Sequence, residues 1–175
     1  GVTVERAEGA YRHEGEDVWV VDLPGLYSLD AHTPDERVAR DYLAGGGADV
    51  VVNVIDASNL ERSLYLTAQL LELEAPLIVV LNMMDLAGSL RIRIRTEQLE
   101  QALGCPVMAM TAMRNQGVEA LRTAAARIAP GRTAAPRRTE EERYAFVRAV
   151  AKEVLDRADA RRHRFSDTLD RILLS

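Results

Sequence analysis

The feature that most constrains the fold is a repeated alternation of short apolar runs with stretches that space leucine at helical intervals. Three runs have the length and composition of buried strands: Asp49 to Asp56, Leu77 to Leu81 and Pro106 to Met110. Three stretches after them have helical spacing: Leu60 to Leu73, Thr96 to Leu103 and Val118 to Ile128. This alternation predicts an α/β fold, a mostly parallel sheet with helices on both faces, in which strands such as Asp49 to Asp56 are buried on both sides.

Two further elements precede this alternation. Val2 to His13 and Val18 to Val21 have the pattern of strands, and the turn signal Glu14-Gly15 between them predicts a hairpin. Thr33-Pro34 predicts the start of a helix, because threonine caps a first turn and proline fits the first helical position. Gly45 to Gly47 predict the end of that helix.

Composition limits the class of protein. With 47% hydrophobic and 28% charged residues, the 175-residue chain has the make-up of a soluble globular protein. Its longest apolar stretches fall far short of the roughly 20 residues that span a bilayer. The single cysteine, Cys105, cannot form an internal disulfide, which favours a reducing compartment such as the cytosol. No nucleic-acid partner is expected.

The charge distribution indicates a boundary within the chain. Net charge is −8 over residues 1–129 and +3 over residues 130–175. Pro130 to Arg138, which is rich in Pro, Gly and small residues, is predicted to be a linker. Two parts are expected: a domain over residues 1–131 and a helical segment over residues 132–175. Two helices are predicted in the second part: Glu140 to Asp159 and Ser166 to Leu174.

Polar motifs follow three predicted strands, at the carboxyl edge where ligands of such sheets bind. They are Asp22-Leu23-Pro24-Gly25, Asn82-Met83-Met84-Asp85 and Thr111-Ala112-Met113. A phosphate-bound magnesium ion needs a carboxylate, a terminal phosphate needs a closely approaching glycine backbone, and guanine needs a carboxylate acceptor. Asp22, Gly25 and Asp85 could supply these groups. Each motif alone is more often turn or helix-start chemistry, but their order is that of the small GTPase fold.

Longer strings around these motifs resemble the ferrous iron transport protein B family over nearly the whole chain. The matching strings are GVTVER at Gly1 to Arg6, VDLPGLYSL at Val21 to Leu29, VIDASNLERSLYLTAQLLEL at Val54 to Leu73, LNMMDL at Leu81 to Leu86, LGCPV at Leu103 to Val107 and SDTLDRILL at Ser166 to Leu174. The resemblance implies a small-GTPase-like domain that binds GTP or GDP with Mg²⁺.

The resemblance implies roles for residues on the phosphate side of the site. Thr3 corresponds to the first-switch threonine that reaches magnesium and the terminal phosphate. Asp22 corresponds to the carboxylate that holds magnesium through water, and Gly25 to the glycine whose backbone touches the terminal phosphate. Taken alone, Thr3 is equally consistent with a threonine in a strand.

The resemblance also implies roles on the base side. Asn82 would brace the base-binding loop, and Asp85 would pair with the guanine ring. The backbone from Thr111 through Ala112 to Met113 would approach the guanine carbonyl. Met83 stands where small GTPases have a lysine over the base, as it does in this family, so only apolar contact is expected there.

Two departures from the small GTPase pattern affect the expected activity. Leu26 follows Gly25, where fast GTPases often carry a glutamine that orients the attacking water, so hydrolysis is expected to be slow or to use another group for the water. No G-x-x-x-x-G-K-[ST] motif occurs in the sequence, although the family carries one ahead of the segment that corresponds to Gly1. We therefore expect the first strand and phosphate-binding loop of the family to be absent from the front.

The expected function is GTP hydrolysis at the cytoplasmic face of the bacterial inner membrane, coupled to ferrous iron uptake by the membrane domain of the same transporter. Two alternatives remain open at this stage: a regulatory module that senses nucleotide without significant turnover, and a fragment that does not bind nucleotide. The C-terminal basic cluster is either a solvated helix end or a contact for anionic lipid. The cluster comprises Arg161, Arg162 and Arg164.

Overall fold

Strands and helices alternate through the computed structural model, which describes residues 7–23, 25–26, 28–30, 33–73, 75–128 and 134–157. The strands are β1 (Ala7–His13), β2 (Glu16–Asp22), β3 (Val51–Asp56), β4 (Leu77–Asn82), β5 (Ile92–Ile94), β6 (Val107–Ala109) and β7 (Leu155–Arg157). The helices are α1 (Pro34–Ala44), α2 (Leu60–Leu70), α3 (Met84–Ser89), α4 (Thr96–Leu103), α5 (Val118–Arg127) and α6 (Glu140–Val154). Two 3-10 turns span Ala57–Asn59 and Ala112–Arg114.

The central sheet consists of β3, β4 and β6, which run parallel in that order. The strand β4 lies in the middle, and its residues from Leu77 to Leu81 are all buried. Helices cover both faces because β4 points alternate side chains to opposite sides. Val79 and Leu81 join the large core formed with α2, α4 and α6, whereas Ile78 and Val80 pack against α5. The predicted α/β architecture is confirmed.

The hairpin predicted at the front is also present. The strands β1 and β2 are antiparallel, and Ala7 to His13 pair with Asp22 to Glu16. Glu14 and Gly15 both have positive φ, 49° and 92°, as a two-residue hairpin turn with the twist of its strands requires. The hairpin lies against α5, where the Arg122 guanidinium stacks 4.8 Å from the Tyr11 ring centroid. The part of Val2 to His13 before residue 7 lies outside the described residues.

The prediction that Asp49 to Asp56 is buried on both faces is wrong for β3. Asn53 and Ile55 are buried, but Val52 and Val54 are 38% and 54% exposed. The exposure arises because α5 packs over β4, and no described strand pairs with the outer edge of β3. The alternation of buried and exposed residues along β3 is that of a strand covered on one face.

The first helix begins at the predicted cap. The Thr33 hydroxyl accepts a hydrogen bond from the Glu36 N–H at 3.2 Å, and the Glu36 carboxylate accepts one from the Thr33 N–H at 3.0 Å. This capping box satisfies two N–H groups that a helix start leaves unpaired, and Pro34 needs no partner for its nitrogen. The helix α1 ends at Gly45, as predicted.

The end of the chain differs from the prediction. The helix predicted from Glu140 to Asp159 ends at Val154, and β7 follows it. This strand pairs antiparallel with β5, a strand that the sequence did not predict. Both strands have only three residues, too few for a periodic pattern. The ion pair between Arg95, directly after β5, and Asp156 in β7, 2.7 Å long, links the two strands.

The helix α6 packs on the core of the first part of the chain. Its buried residues Val147, Val150 and Val154 belong to the same apolar cluster as Leu64 and Leu99. The predicted boundary near residue 131 and the predicted helix from Ser166 to Leu174 lie outside the described residues. No helix within the described ranges is both long and apolar enough to cross a membrane.

Candidate functional site

The ends of the central strands bring the polar motifs after β4 and β6 to one edge of the sheet. Asp56 and Asn82 end β3 and β4 and lie opposite each other in the ladder. The Met110 N–H donates to the Leu81 carbonyl at 2.8 Å, which extends the pairing to the residue before Thr111. The carboxyl ends of parallel strands therefore form the edge at which a ligand is expected.

One hydrogen bond joins the two loops at this edge. The Asn82 side-chain oxygen accepts from the Ala112 N–H at 3.1 Å. Met83 follows in a left-handed conformation with φ of 60°, and Met84 begins α3. The turn exposes the Met83 side chain, while Asp85 lies in the first turn of the helix. The asparagine thus fixes the position of the loop that carries Asp85 relative to the loop after β6.

The carboxylate of Asp85 lies at the open side of this edge. One oxygen accepts from the Leu86 N–H at 3.0 Å, and the other lies 3.7 Å from the Arg114 guanidinium. The Asp85 side chain is 43% exposed and the Arg114 side chain 66% exposed. Such a pair is weak in water, so the carboxylate is available to two N–H donors of a ligand. Arg114 was not foreseen, since no spacing in the sequence relates it to Asp85.

The loop after β6 is closed on itself. Thr111 and Gln116 exchange both backbone hydrogen bonds, at 3.2 and 3.3 Å. The closure buries Thr111 and places Met113 fully exposed at the tip. Gly117, at φ of 88°, begins α5, and a Cβ there would lie 3.0 Å from the Ala109 carbonyl oxygen. The loop therefore presents the Ala112 and Met113 backbone at the edge, with Met113 and Met83 as exposed apolar side chains.

The phosphate-side residues are described only in part. Asp22 ends β2 with an exposed side chain, and a Cβ added to Gly25 would meet no atom within 4 Å. Thr3 and Pro24 lie outside the described residues. A carboxylate suits Mg²⁺, but no group of three or more His, Cys, Asp or Glu in the described parts of the chain could hold a metal.

Leu26 directly follows Gly25. Its side chain is half-buried against the main core. It borders a cavity of about 190 Å³ that is lined by Leu26, Asn53, Val54, Ile55, Asp56, Arg62, Ser63 and Leu66. The Asp56 carboxylate caps the 3-10 turn that follows it, since it accepts from the Ser58 N–H at 2.8 Å and from the Ser58 hydroxyl at 2.7 Å.

Comparison with known proteins points to one family. The sequence profile described as ferrous iron transport protein B matches residues 1–125. Over 128 residues the chain is 51% identical to the Fe(2+) transporter FeoB of Escherichia coli (strain K12) and 50% identical to that of Salmonella typhimurium. Each alignment covers 71% of this chain but 17% of the relative, so the chain spans less than a fifth of the length of these transporters.

Solved structures show the same relationship. The cytosolic domain of L. pneumophila FeoB aligns with a TM-score of 0.81 at 28% identity, over 90% of this chain and 88% of that one. The cytosolic domain of T. maritima FeoB in its GMPPNP form aligns with 0.79 at 27% identity, over 90% and 87%. The FeoB G-domain of Methanococcus jannaschii aligns with 0.67 at 48% identity, over 70% and 78%.

Proposed function

Because the chain belongs to the ferrous iron transport protein B family, we propose that it is part of the GTP-binding and GTP-hydrolysing domain of a ferrous iron transporter, in which nucleotide state is coupled to Fe²⁺ uptake. The observation that carries this proposal is the hydrogen bond from the Ala112 N–H to the Asn82 side chain. It holds together the two loops to which the family likeness gives the base-binding role, with the Asp85 carboxylate open beside them.

On the base side, Asp85 accepts from the ring N–H and the amino group of guanine. Adenine presents one hydrogen and one acceptor at the same places, so a carboxylate favours guanine. Asn82 braces the loop, and the backbone of Thr111, Ala112 and Met113 approaches the guanine carbonyl. Met83 supplies apolar contact to the ring.

On the phosphate side, Asp22 would hold Mg²⁺ through water and Gly25 would donate its backbone N–H to the terminal phosphate. Thr3 would supply a hydroxyl to the ion and the same phosphate. When bound, magnesium neutralises charge that develops on the phosphate oxygens. Hydrolysis is slow because Leu26 can neither donate to nor accept from the attacking water.

A substitution at Asp85 tests the base site. Asp85→Asn replaces one acceptor oxygen with a donor nitrogen, which should shift preference from GTP to the xanthine nucleotide. GTP affinity should fall roughly a hundredfold, because a charged hydrogen-bond pair is lost. Calorimetric titration should use a chain to which the phosphate-binding segment of a relative has been added. Asp17→Asn, on the exposed hairpin, is the matched control. Unchanged GTP selectivity in Asp85→Asn would remove Asp85 from the site.

A second candidate function is nucleotide sensing without significant turnover, and the observation that favours it is the apolar Leu26. The two candidates differ in what the transporter requires. If turnover drives uptake, a non-hydrolysable GTP analogue fails to support iron transport; if occupancy alone sets the state, the analogue supports it as well as GTP does. Transport into vesicles that contain the intact transporter distinguishes them.

The location and partners belong to the same proposal. We place the domain at the cytoplasmic face of the bacterial inner membrane, beside the membrane domain of its own transporter. The basic residues Arg161, Arg162 and Arg164 and the apolar positions from Leu169 to Leu174 suit contact with anionic lipid. Binding to vesicles that contain phosphatidylserine should be lost in a chain that ends at Ala160. Equal binding by both chains would show that the tail has no such role.

A further inference from the structure

A single buried amide ties the segment after Gly25 to α2. The Leu29 N–H donates to the Gln69 side-chain oxygen at 2.7 Å. The Gln69 side-chain nitrogen donates to the Asp30 carboxylate at 2.8 Å and lies 3.3 Å from the Ser28 hydroxyl oxygen. Gln69 is 5% exposed and Leu29 8% exposed, so the hydrogen bond between them is shielded from water, whereas the two contacts of the Gln69 nitrogen are part-buried.

The position requires a side chain that both accepts and donates. Of the amino acids with this length, only glutamine offers an uncharged acceptor oxygen and a donor nitrogen at the same end. A glutamate at position 69 would direct an oxygen at the Asp30 carboxylate, and an apolar residue would leave the Leu29 N–H without its partner. An unpaired buried polar group is costly, so either change should free the segment.

The Asp30 carboxylate is also contacted from α6, at the same oxygen that accepts from Gln69. The Asp30 carboxylate accepts from the Ser28 hydroxyl at 2.6 Å and lies 3.7 Å from the Arg143 guanidinium. Arg143 is itself fixed by two hydrogen bonds to Glu72, each 3.0 Å long. These bonds raise the pKa of the Arg143 guanidinium above its usual value. The guanidinium therefore stays charged at every working pH. The Tyr65 hydroxyl completes the set at 3.5 Å from Asp30.

The segment is thus held at both ends. Asp22 is the last residue of β2, and Leu29 is fixed by Gln69. We propose that Gln69 is a positioning residue that fixes Leu29 as the C-terminal end of the second switch, so that nucleotide-dependent movement does not pass beyond Leu29. A loop fixed at both ends has less conformational entropy to lose when Gly25 is ordered by a phosphate. The inference rests on the proposed function for the identity of this segment as a switch.

Amide hydrogen exchange in the chain without nucleotide tests the inference. In Gln69→Met, which keeps side-chain volume, the Leu29 amide should exchange about tenfold faster, while the Val79 amide in the sheet centre is unchanged. Thr67→Val is the matched control, because Thr67 lies on the same helix and is equally buried. This substitution removes the 2.7 Å hydrogen bond that the Asn53 side chain donates to the Thr67 hydroxyl. It should leave the ratio of the Leu29 to the Val79 exchange rate unchanged.

A paired substitution separates positioning from a general role in helix stability. Gln69→Glu should accelerate Leu29 exchange, because the new carboxylate faces the carboxylate of Asp30. Adding Asp30→Asn gives residue 30 a side-chain N–H that can donate to the new carboxylate at position 69, which should restore slow exchange at Leu29. A helix that merely lost stability would not recover in this way. The same pair decides the question if Gln69→Met does not fold.

Wild-type exchange at Leu29 in Gln69→Met, or no recovery in the paired variant, would overturn the inference. The outcome is independent of the base-site experiment, because exchange is measured without nucleotide. If Asp85→Asn keeps its GTP selectivity while Leu29 responds as expected, the proposed base site fails and the positioning role of Gln69 stands.

Discussion

At the scale of single residues, part-buried and exposed ion pairs make different contributions. Glu72 and Arg143 have side chains that are 8% and 17% exposed and share two short hydrogen bonds. Removing one partner of such a part-buried pair leaves the other partly uncompensated, which should cost less than the ~3–5 kcal/mol typical of a fully buried pair. Arg40 and Asp41 form an equally short pair on the exposed side of α1, where about 0–1 kcal/mol is typical. Stability therefore depends more on the pair that joins Glu72, just after α2, to α6.

The exposed pair between β5 and β7 leads to a prediction about pH. Hydrogen bonds from Arg95 lower the pKa of the Asp156 carboxyl, so the folded state favours the carboxylate. A lowered pKa gives stability that is present above the usual carboxyl pKa and is lost as pH falls through the folded value. Asp156→Asn should therefore be less stable than wild type in urea at about pH 7 and equally stable at about pH 2.

Asp17→Asn, an exposed carboxyl on the hairpin, is the control for the pH experiment. It should show no comparable difference from wild type at either pH. If the stability gap of Asp156→Asn persisted at low pH, the Arg95 contact would not be its source.

At the scale of elements, β3 differs from β4 because described strands pair with only one of its edges. The Val51 N–H donates to the Pro76 carbonyl at 2.8 Å, so Val51, Asn53 and Ile55 direct their backbone groups to β4. Val52 and Val54 direct theirs to the other edge, where no described strand pairs with them. An open edge with exposed valines favours pairing with another chain.

A charge at this edge should reduce self-association. Val54→Lys places a cation beside the open edge at a position already 54% exposed, so folding stability should change by less than about 1 kcal/mol. Light scattering on a size-exclusion column should show a lower apparent mass than wild type at high concentration. Leu90→Lys makes the same apolar-to-lysine change at an exposed site outside any strand. If both variants lowered the mass equally, general surface polarity rather than the β3 edge would be responsible.

At the scale of the whole molecule, one core joins elements from both ends of the described chain. The main apolar cluster contains Leu29 after the hairpin, Leu64 on α2 and Val150 on α6. The residues from 134 to 139 follow the surface of α2, where the Ala135 N–H donates to the Leu71 carbonyl at 2.8 Å. The described part of the segment predicted to be a linker, residues 134–138, is therefore fixed to the chain directly after α2.

The phosphate-binding segment of the family leads to a prediction about the chain as a whole. A G-x-x-x-x-G-K-[ST] loop surrounds phosphates with backbone N–H groups and a lysine. The 175-residue sequence contains no such motif. We expect this chain to bind GTP with Mg²⁺ far more weakly than the same chain preceded by that segment of a relative. Calorimetric titration of both chains measures the difference. Equal affinities would mean that the phosphates bind elsewhere.

Much of the fold and part of the site follow from local sequence. Periodicity predicts the alternating elements, because alternate residues of a strand face opposite sides and every third or fourth residue of a helix shares a face. Glu14-Gly15 and Thr33-Pro34 mark the turn and the helix start, since both depend on the backbone preferences of neighbouring residues. The order of the motifs containing Asp22, Asn82 and Thr111 indicates the ligand edge.

Only the tertiary structure decided the remainder, because it depends on contacts between residues far apart in the chain. Gln69 meets Leu29 across 40 positions, and Arg95 meets Asp156 across 61, at distances that no spacing rule encodes. The exposure of Val54 is likewise decided by which elements cover β3. The sequence determined by itself what each segment could form, whereas packing determined which faces were buried and which polar groups found partners, since both depend on the positions of all neighbouring elements.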